Sequence, residues 1–166
     1  MTTLAVGNRR LLKLAAILDA ADKRHRERQE PTYNQAAFVH PCGTPACAIG
    51  HWAAANPRRW RISSIGPIGL VEPRNSTLGL INEAAKEFAL DVPDYGWDEI
   101  FSNVGCGSAK NGKQAAKYIR QYVARRTPGT AAYKRAQKVK ERANLCLGIY
   151  KDIAEAQEMR SRGAFA

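Results

Sequence analysis

Eight prolines punctuate this 166-residue chain, and their positions limit what it can fold into more than any other feature. Pro31, Pro41, Pro45, Pro57, Pro67, Pro73, Pro93 and Pro128 all fall between apolar stretches, leaving both ends uninterrupted. A proline fixes its own φ, removes a backbone donor and disfavours helical geometry at the residue ahead of it. The stretches free of proline that are long enough for an extended helix are 1–30, 94–127 and 129–166, and shorter elements fill the rest.

Within those limits the apolar spacing is mostly helical. Asn8 is a good N-cap residue, and Leu11, Leu14, Ala15 and Leu18 follow the i, i+3, i+4, i+7 pattern of a core-facing stripe. The polar run 22–30 reads as a frayed helix end or a solvated loop, closed by Pro31. Thr32-Tyr33-Asn34-Gln35 fits a capping box and predicts a short helix through Phe38. Thr44 as N-cap with Pro45 at the first helical position predicts another, ending near Ala55.

Residues 56–76 form a long connection, with a candidate hairpin pairing 61–65 with 68–71 across Gly66-Pro67. Thr77 is expected to cap a helix whose buried stripe is Leu78, Ile81, Ala85 and Phe88. A helical turn then presents Trp97, Ile100 and Phe101, and Gly105, Gly107 and Gly112 mark a loop around Cys106. The aromatic residues Trp52, Phe88, Trp97 and Phe101 are assigned to the core. Asn111 with Gln114 repeats the capping pattern, ahead of an apolar face of Ala115, Ile119, Tyr122 and Val123. Thr127-Pro128-Gly129 stops that helix.

From Thr130 to about Arg160 the spacing predicts one helix, roughly 45 Å long. Its positions 136, 139, 143, 146, 150, 153 and 157 have the 3-4 spacing of a coiled-coil seam, a candidate for self-association. The expected fold class is mostly all-α. It comprises a compact helical domain at 1–127 and a basic C-terminal helix or arm at 128–166, with a small hairpin near 61–71.

Charge is distributed unevenly. The chain carries 26 basic and 15 acidic residues, a formal net charge of +11. Ten of the basic residues lie between Lys113 and Arg142, with Glu141 the single acid among them, so the remaining residues are nearly balanced. A concentrated field of this kind attracts polyanions, of which nucleic acid is the commonest in a cell. With 45% hydrophobic and 25% charged residues, the composition is that of a globular protein and excludes wholesale disorder. The apolar runs fall short of the roughly 20 residues a membrane span needs. Arg9-Arg10 ahead of an apolar stretch resembles a signal peptide slightly, but Lys13 and Asp19 interrupt it. The expectation is a soluble, cytosolic protein with no membrane partner and four reduced cysteines.

The candidate nucleic-acid contacts are Lys113, Lys117, Arg120, Arg125, Arg126, Lys134, Arg135, Lys138, Lys140 and Arg142. A second cluster, Arg58, Arg59 and Arg61 around Trp60, mixes an aromatic ring with guanidinium groups and would suit stacking on unpaired bases. Each cation that meets a phosphate releases a counterion, which gives salt-sensitive affinity. Two other readings stay open: solvated helix faces, and docking on an acidic protein partner. No base-reading motif is present.

The segment 40–51 gathers His40, Cys42, Cys47 and His51. If Thr44 caps the helix, Cys47 lies in its first turn and His51 follows one turn later. Loop and helix could then close a tetrahedral zinc site, although the spacing is that of no standard finger. Alternatively a thiol near the helix start pairs with a histidine as a nucleophile. A third reading is structural, with small residues allowing close helix approach. Cys106 and Cys146 read as structural. No paired-carboxylate site, phosphate loop or nucleophile elbow is legible, so the sequence favours a binding protein over an enzyme.

Cys42-Gly43-Thr44-x-x-Cys47-x-x-Gly50-His51, with a later Phe101-Ser102 and Gly112-x-x-Ala115-Ala116-x-x-Ile119, resembles a family of small proteins found in tailed bacteriophages and prophage-bearing bacterial genomes. The resemblance spans roughly Leu11 to Val123. The family carries no assigned activity, so the resemblance implies an origin, a bacterial host cytoplasm and a shared fold, not a mechanism. The expectation is a phage-type accessory protein that binds nucleic acid or a nucleoprotein complex through its basic helices. Alternatives are a protein-interaction module, such as an inhibitor of a host defence complex, and a thiol or zinc enzyme.

Overall fold

The computed structural model describes residues 2–28, 33–34, 37–40, 44–65, 68–76, 78–90, 100–101 and 109–161. Among them are α1 (Leu4–Arg28), α2 (Ala48–Ala55), β1 (Trp60–Ile65), β2 (Ile68–Pro73), α3 (Leu80–Phe88), α4 (Gly112–Arg126) and α5 (Ala131–Ser161). The architecture is mostly α-helical with one antiparallel hairpin, as the apolar spacing predicts. The chain divides into two compact units, Met1–Val123 and Ala124–Ala166.

The first unit is built on α1. Leu11, Leu14, Ala15 and Leu18 are fully buried, as their spacing requires. Two boundaries differ from expectation. The helix begins a turn early, where Thr3 Oγ1 accepts the Val6 N–H at 3.4 Å, so Asn8 lies inside it instead of capping it. It also continues through the polar run to Arg28. Opposite charges four residues apart support that extension: Asp22 with Arg26 at 3.2 Å and Lys23 with Glu27 at 3.7 Å.

The helix expected through Phe38 is absent from the described residues of that stretch; Thr32, Gln35 and Ala36 lie outside them. The chain there runs back on itself. Val39 bridges Pro45, the Ala46 N–H donates to the Phe38 carbonyl (3.0 Å), and the Asn34 N–H donates to the Ala46 carbonyl (2.9 Å). These pairings hold 44–46 extended, so α2 starts at Ala48 with Cys47, not Thr44, at the N-cap. From Ala48 to Ala53 the helix is buried. Gly50 is needed there, because a Cβ would collide with the Phe38 carbonyl oxygen.

The hairpin pairs β1 with β2 from Trp60↔Pro73 to Ile65↔Ile68, burying Trp60 and Val71. α3 keeps the second half of its expected stripe, since Ala85 and Phe88 are buried, but not the first. Leu78 and Ile81 are 42% and 47% exposed, while Ala84, Ala85 and Phe88 face inward together with Glu83 and Glu87. Thr77 lies outside the described residues, and Gly79 occupies the N-cap. Two arginines account for the buried carboxylates: Arg10 of α1 pairs with Glu87, and Arg59 ahead of β1 with Glu87 and Glu83. At its C-terminal end Ala89 adopts φ 49°, and the Leu90 N–H donates to the Ala85 carbonyl, closing a Schellman turn.

Pro93, Trp97, Gly105, Cys106 and Gly107 lie outside the described residues. Ile100 and Phe101 are buried, and Phe88 packs against Trp52 and Phe101 with ring centroids 4.9 and 5.3 Å away. α4 is capped as expected. Asn111 Oδ1 accepts the Gln114 N–H (2.8 Å), and Gln114 Oε1 reaches back to the Lys110 N–H (2.9 Å). Ala115, Ile119, Tyr122 and Val123 are buried. Gly112 brings the start of α4 against α1, where a Cβ would lie 2.6 Å from the Leu18 carbonyl oxygen.

In the second unit, Gly129 (φ 87°) turns the chain and Thr130 caps α5. Its Oγ1 donates to the Ala124 carbonyl (2.6 Å) and accepts the Tyr133 N–H (3.0 Å). The Cys146 side chain lies outside the described ones.

Candidate nucleic-acid interface

An α-helix places residues three, four and seven apart on one face. On α5 that rule aligns Lys134, Lys138 and Arg142, with Arg135 beside Lys138; Lys140 points elsewhere. All five are exposed, and none forms an ion pair among the described residues. Consecutive cations of the stripe are about 6 Å apart along the axis.

On α4, Lys113, Lys117 and Arg120 repeat the i, i+4, i+7 spacing along one flank of the buried face, and all three are exposed. Their electrostatics differ. Arg120 Nη2 donates to Asp19 Oδ2 of α1, 101 positions away, whereas Lys113 and Lys117 meet no carboxylate among the described residues. Facing them on α1 are Asp19, Asp22, Lys23 and Arg26, themselves spaced along one helical face. Between these two rows lies a cleft of about 730 Å³. Arg125 is exposed at the end of α4, and Arg126 is half-buried.

The arginine–tryptophan cluster is arranged differently from a stacking platform. Trp60 is 2% exposed and belongs to the core. Arg59 binds Glu87 (2.9 Å) and lies 3.9 Å from Glu83, and Arg61 donates twice to Glu72 across the hairpin (2.7 and 3.2 Å). Those hydrogen bonds hold the Glu72 carboxyl below its usual range. Among the described residues Arg58 alone of the three is exposed without an ion pair.

The Cys/His residues are only partly gathered. Cys42 lies outside the described residues, and His40 is half-buried. Cys47 is 1% exposed, and burial pushes its thiol up to about 11, although the amides of Gly50 and Ile49 pull the other way. A thiol so placed is protonated at neutral pH and makes a poor nucleophile. Burial pushes the His51 imidazole down to about 4, and His25, Arg24 and His40 add to the effect. Its ring sits edge-on to His25 with centroids 6.3 Å apart. The fold thus brings in a histidine that the 40–51 segment does not contain. Among the described residues no group of three or more His, Cys, Asp and Glu side chains is arranged to hold a metal ion.

His25, Asp19, Lys23 and Arg26 were not among the residues singled out from the sequence. The signal for the last three was the i, i+4, i+7 spacing inside the polar end of α1; for His25 there was none, because its neighbour is fixed by tertiary packing. No helix among the described residues is long and apolar enough to cross a membrane. Compared with protein-family models, with curated proteins and with solved structures, the chain matches none.

Proposed function

We propose that this protein binds nucleic acid, or a nucleoprotein complex, through electrostatic contact along α5, as an accessory protein of the phage type that its CGTxxCxxGH element resembles. The observation that carries this reading is the stripe Lys134, Arg135, Lys138 and Arg142, exposed along one helix face with no carboxylate partner among the described residues. Exposed, unpaired cations keep their full charge for phosphates, and the affinity they supply comes from counterion release. No base-reading element accompanies them, so binding is indifferent to sequence.

The test is affinity for DNA and RNA as a function of salt. Four phosphate contacts weaken DNA binding roughly 10²-fold between 50 and 200 mM salt. Replacing Lys134, Arg135 and Lys138 by Glu removes about three of those contacts from the salt slope. Affinity for both nucleic acids unchanged by that triple replacement would end the proposal.

A second reading rests on Val139 and Leu145, which are 66% and 67% exposed on the same helix. Such residues suit a protein-docking or self-association surface, including docking on an acidic target such as a host defence complex. Sedimentation at several concentrations, with and without Val139→Asp, tests self-association.

A further inference from the structure

The cleft between α1 and α4 has the composition of a binding site in its own right, and it lies wholly within the first unit. Its two acids are already engaged, Asp19 by Arg120 and Asp22 by Arg26. Lys113 and Lys117 are not engaged among the described residues, so the cleft keeps an excess of positive charge facing an open volume of about 730 Å³. Phosphate fits that charge, but a single phosphate fills a small part of the space.

A smaller chamber of about 260 Å³ adjoins the cleft and shares Asp22, Arg26, Asn111 and Lys113 with it. Two rings, His25 and Tyr33, complete its wall. Among the described residues neither nitrogen of His25 has a hydrogen-bond partner, and its ring stands edge-on to His51. A planar aromatic guest gains stacking against such walls. A cationic cleft leading to a ring-walled chamber matches a phosphate joined to a base.

We infer that the α1–α4 cleft binds a nucleoside phosphate unit, the phosphate on Lys113 and Lys117 and the base against His25 and Tyr33. This rests on reading the chain as a nucleic-acid binder and adds a seat for one nucleotide apart from α5. A free nucleotide and a nucleotide within a strand present the same chemistry.

Calorimetric titration of the full chain with a nucleoside monophosphate, the unphosphorylated nucleoside and inorganic phosphate tests it. The nucleotide is expected to bind at least about tenfold more tightly than either fragment, since each fragment meets only half of the site. Lys113→Glu and Lys117→Glu alter exposed side chains and should each weaken nucleotide binding by about tenfold. His25→Ala should weaken the nucleotide and leave inorganic phosphate unchanged. A single-stranded hexanucleotide that binds more tightly, with the same dependence on Lys113 and Lys117, identifies a strand as the ligand; binding no tighter than the monomer identifies a free nucleotide. Absence of nucleotide binding, equal binding of nucleotide and phosphate, or indifference to both lysine replacements overturns the inference. The α5 triple replacement separates the two proposals. It should leave monophosphate binding intact, so monophosphate binding lost with the α5 replacement and kept in Lys113→Glu and Lys117→Glu would sink the cleft and spare the helix.

Discussion

Arg59 Nη1 lies 2.9 Å from Glu87 Oε2, and that carboxylate is 3% exposed. Arg10 reaches the same residue from α1, with Nε 3.4 Å from Oε1 and Nη1 donating to the Glu87 carbonyl at 2.8 Å. One buried acid thus ties α1 and the start of β1 to α3. Removing it leaves two guanidinium groups facing a vacated site. Because Arg59 is half-exposed, water recovers part of the loss. Glu87→Ala should therefore lower unfolding free energy by about 1–3 kcal/mol. Denaturant titration checks this, and an unchanged midpoint would refute the structural role.

The same pairing predicts which arginines matter for polyanions. Arg59 and Arg61 spend their charge on Glu87 and Glu72. Arg59→Ala and Arg61→Ala should each change nucleic-acid affinity by less than about threefold, against a far larger loss for the α5 triple replacement. Filter binding at fixed salt ranks the variants. Equal losses would return the hairpin cluster to the interface.

Stability should fall in mild acid because of His51. The unfolded imidazole titrates near 6.5, whereas the buried one stays neutral down to about 4. Below the unfolded value the unfolded chain takes up a proton that the folded chain refuses. The stabilisation is therefore complete above 6.5 and is lost as pH falls from there toward 4. The full loss is roughly 3 kcal/mol. Thermal melts from pH 7 to 4 should show the decline, and His51→Gln should flatten it over that window. Parallel curves for the two proteins would refute the assignment.

Cys47 should resist alkylation in the folded protein. Its thiol is pushed up to about 11 and is 1% exposed, so both thiolate and access are scarce. Iodoacetamide labelling followed by peptide mass mapping should find Cys47 modified only after denaturant is added. Rapid labelling under native conditions would revive the thiol chemistry that the segment suggests.

Local patterns were legible wherever the deciding contacts lie within a turn or two of chain. The α1 stripe, the Asn111–Gln114 cap and the hairpin strands all follow from near neighbours. The same reasoning failed for the described residues between Tyr33 and Ala46. There a capping box and a Thr-Pro pair each suggested a helix start, but the two passes hydrogen-bond to each other instead. On α3 it held for Ala85 and Phe88, failed for Leu78 and Ile81, and missed Glu83 and Glu87, which distant arginines hold in the interior.

Sequence alone thus determined that the chain is mostly helical, that its longest helix lies after Pro128, and that its positive charge is crowded near that end. Tertiary structure decided which cations stay available. Arg120 meets Asp19 across 101 positions and Arg59 meets Glu87 across 28, while Lys134, Arg135, Lys138 and Arg142 meet no acid among the described residues. Helix formation depends on residues a turn apart, which a linear reading sees. Ion pairing depends on which surfaces the fold brings face to face, and that is set by burial of the core.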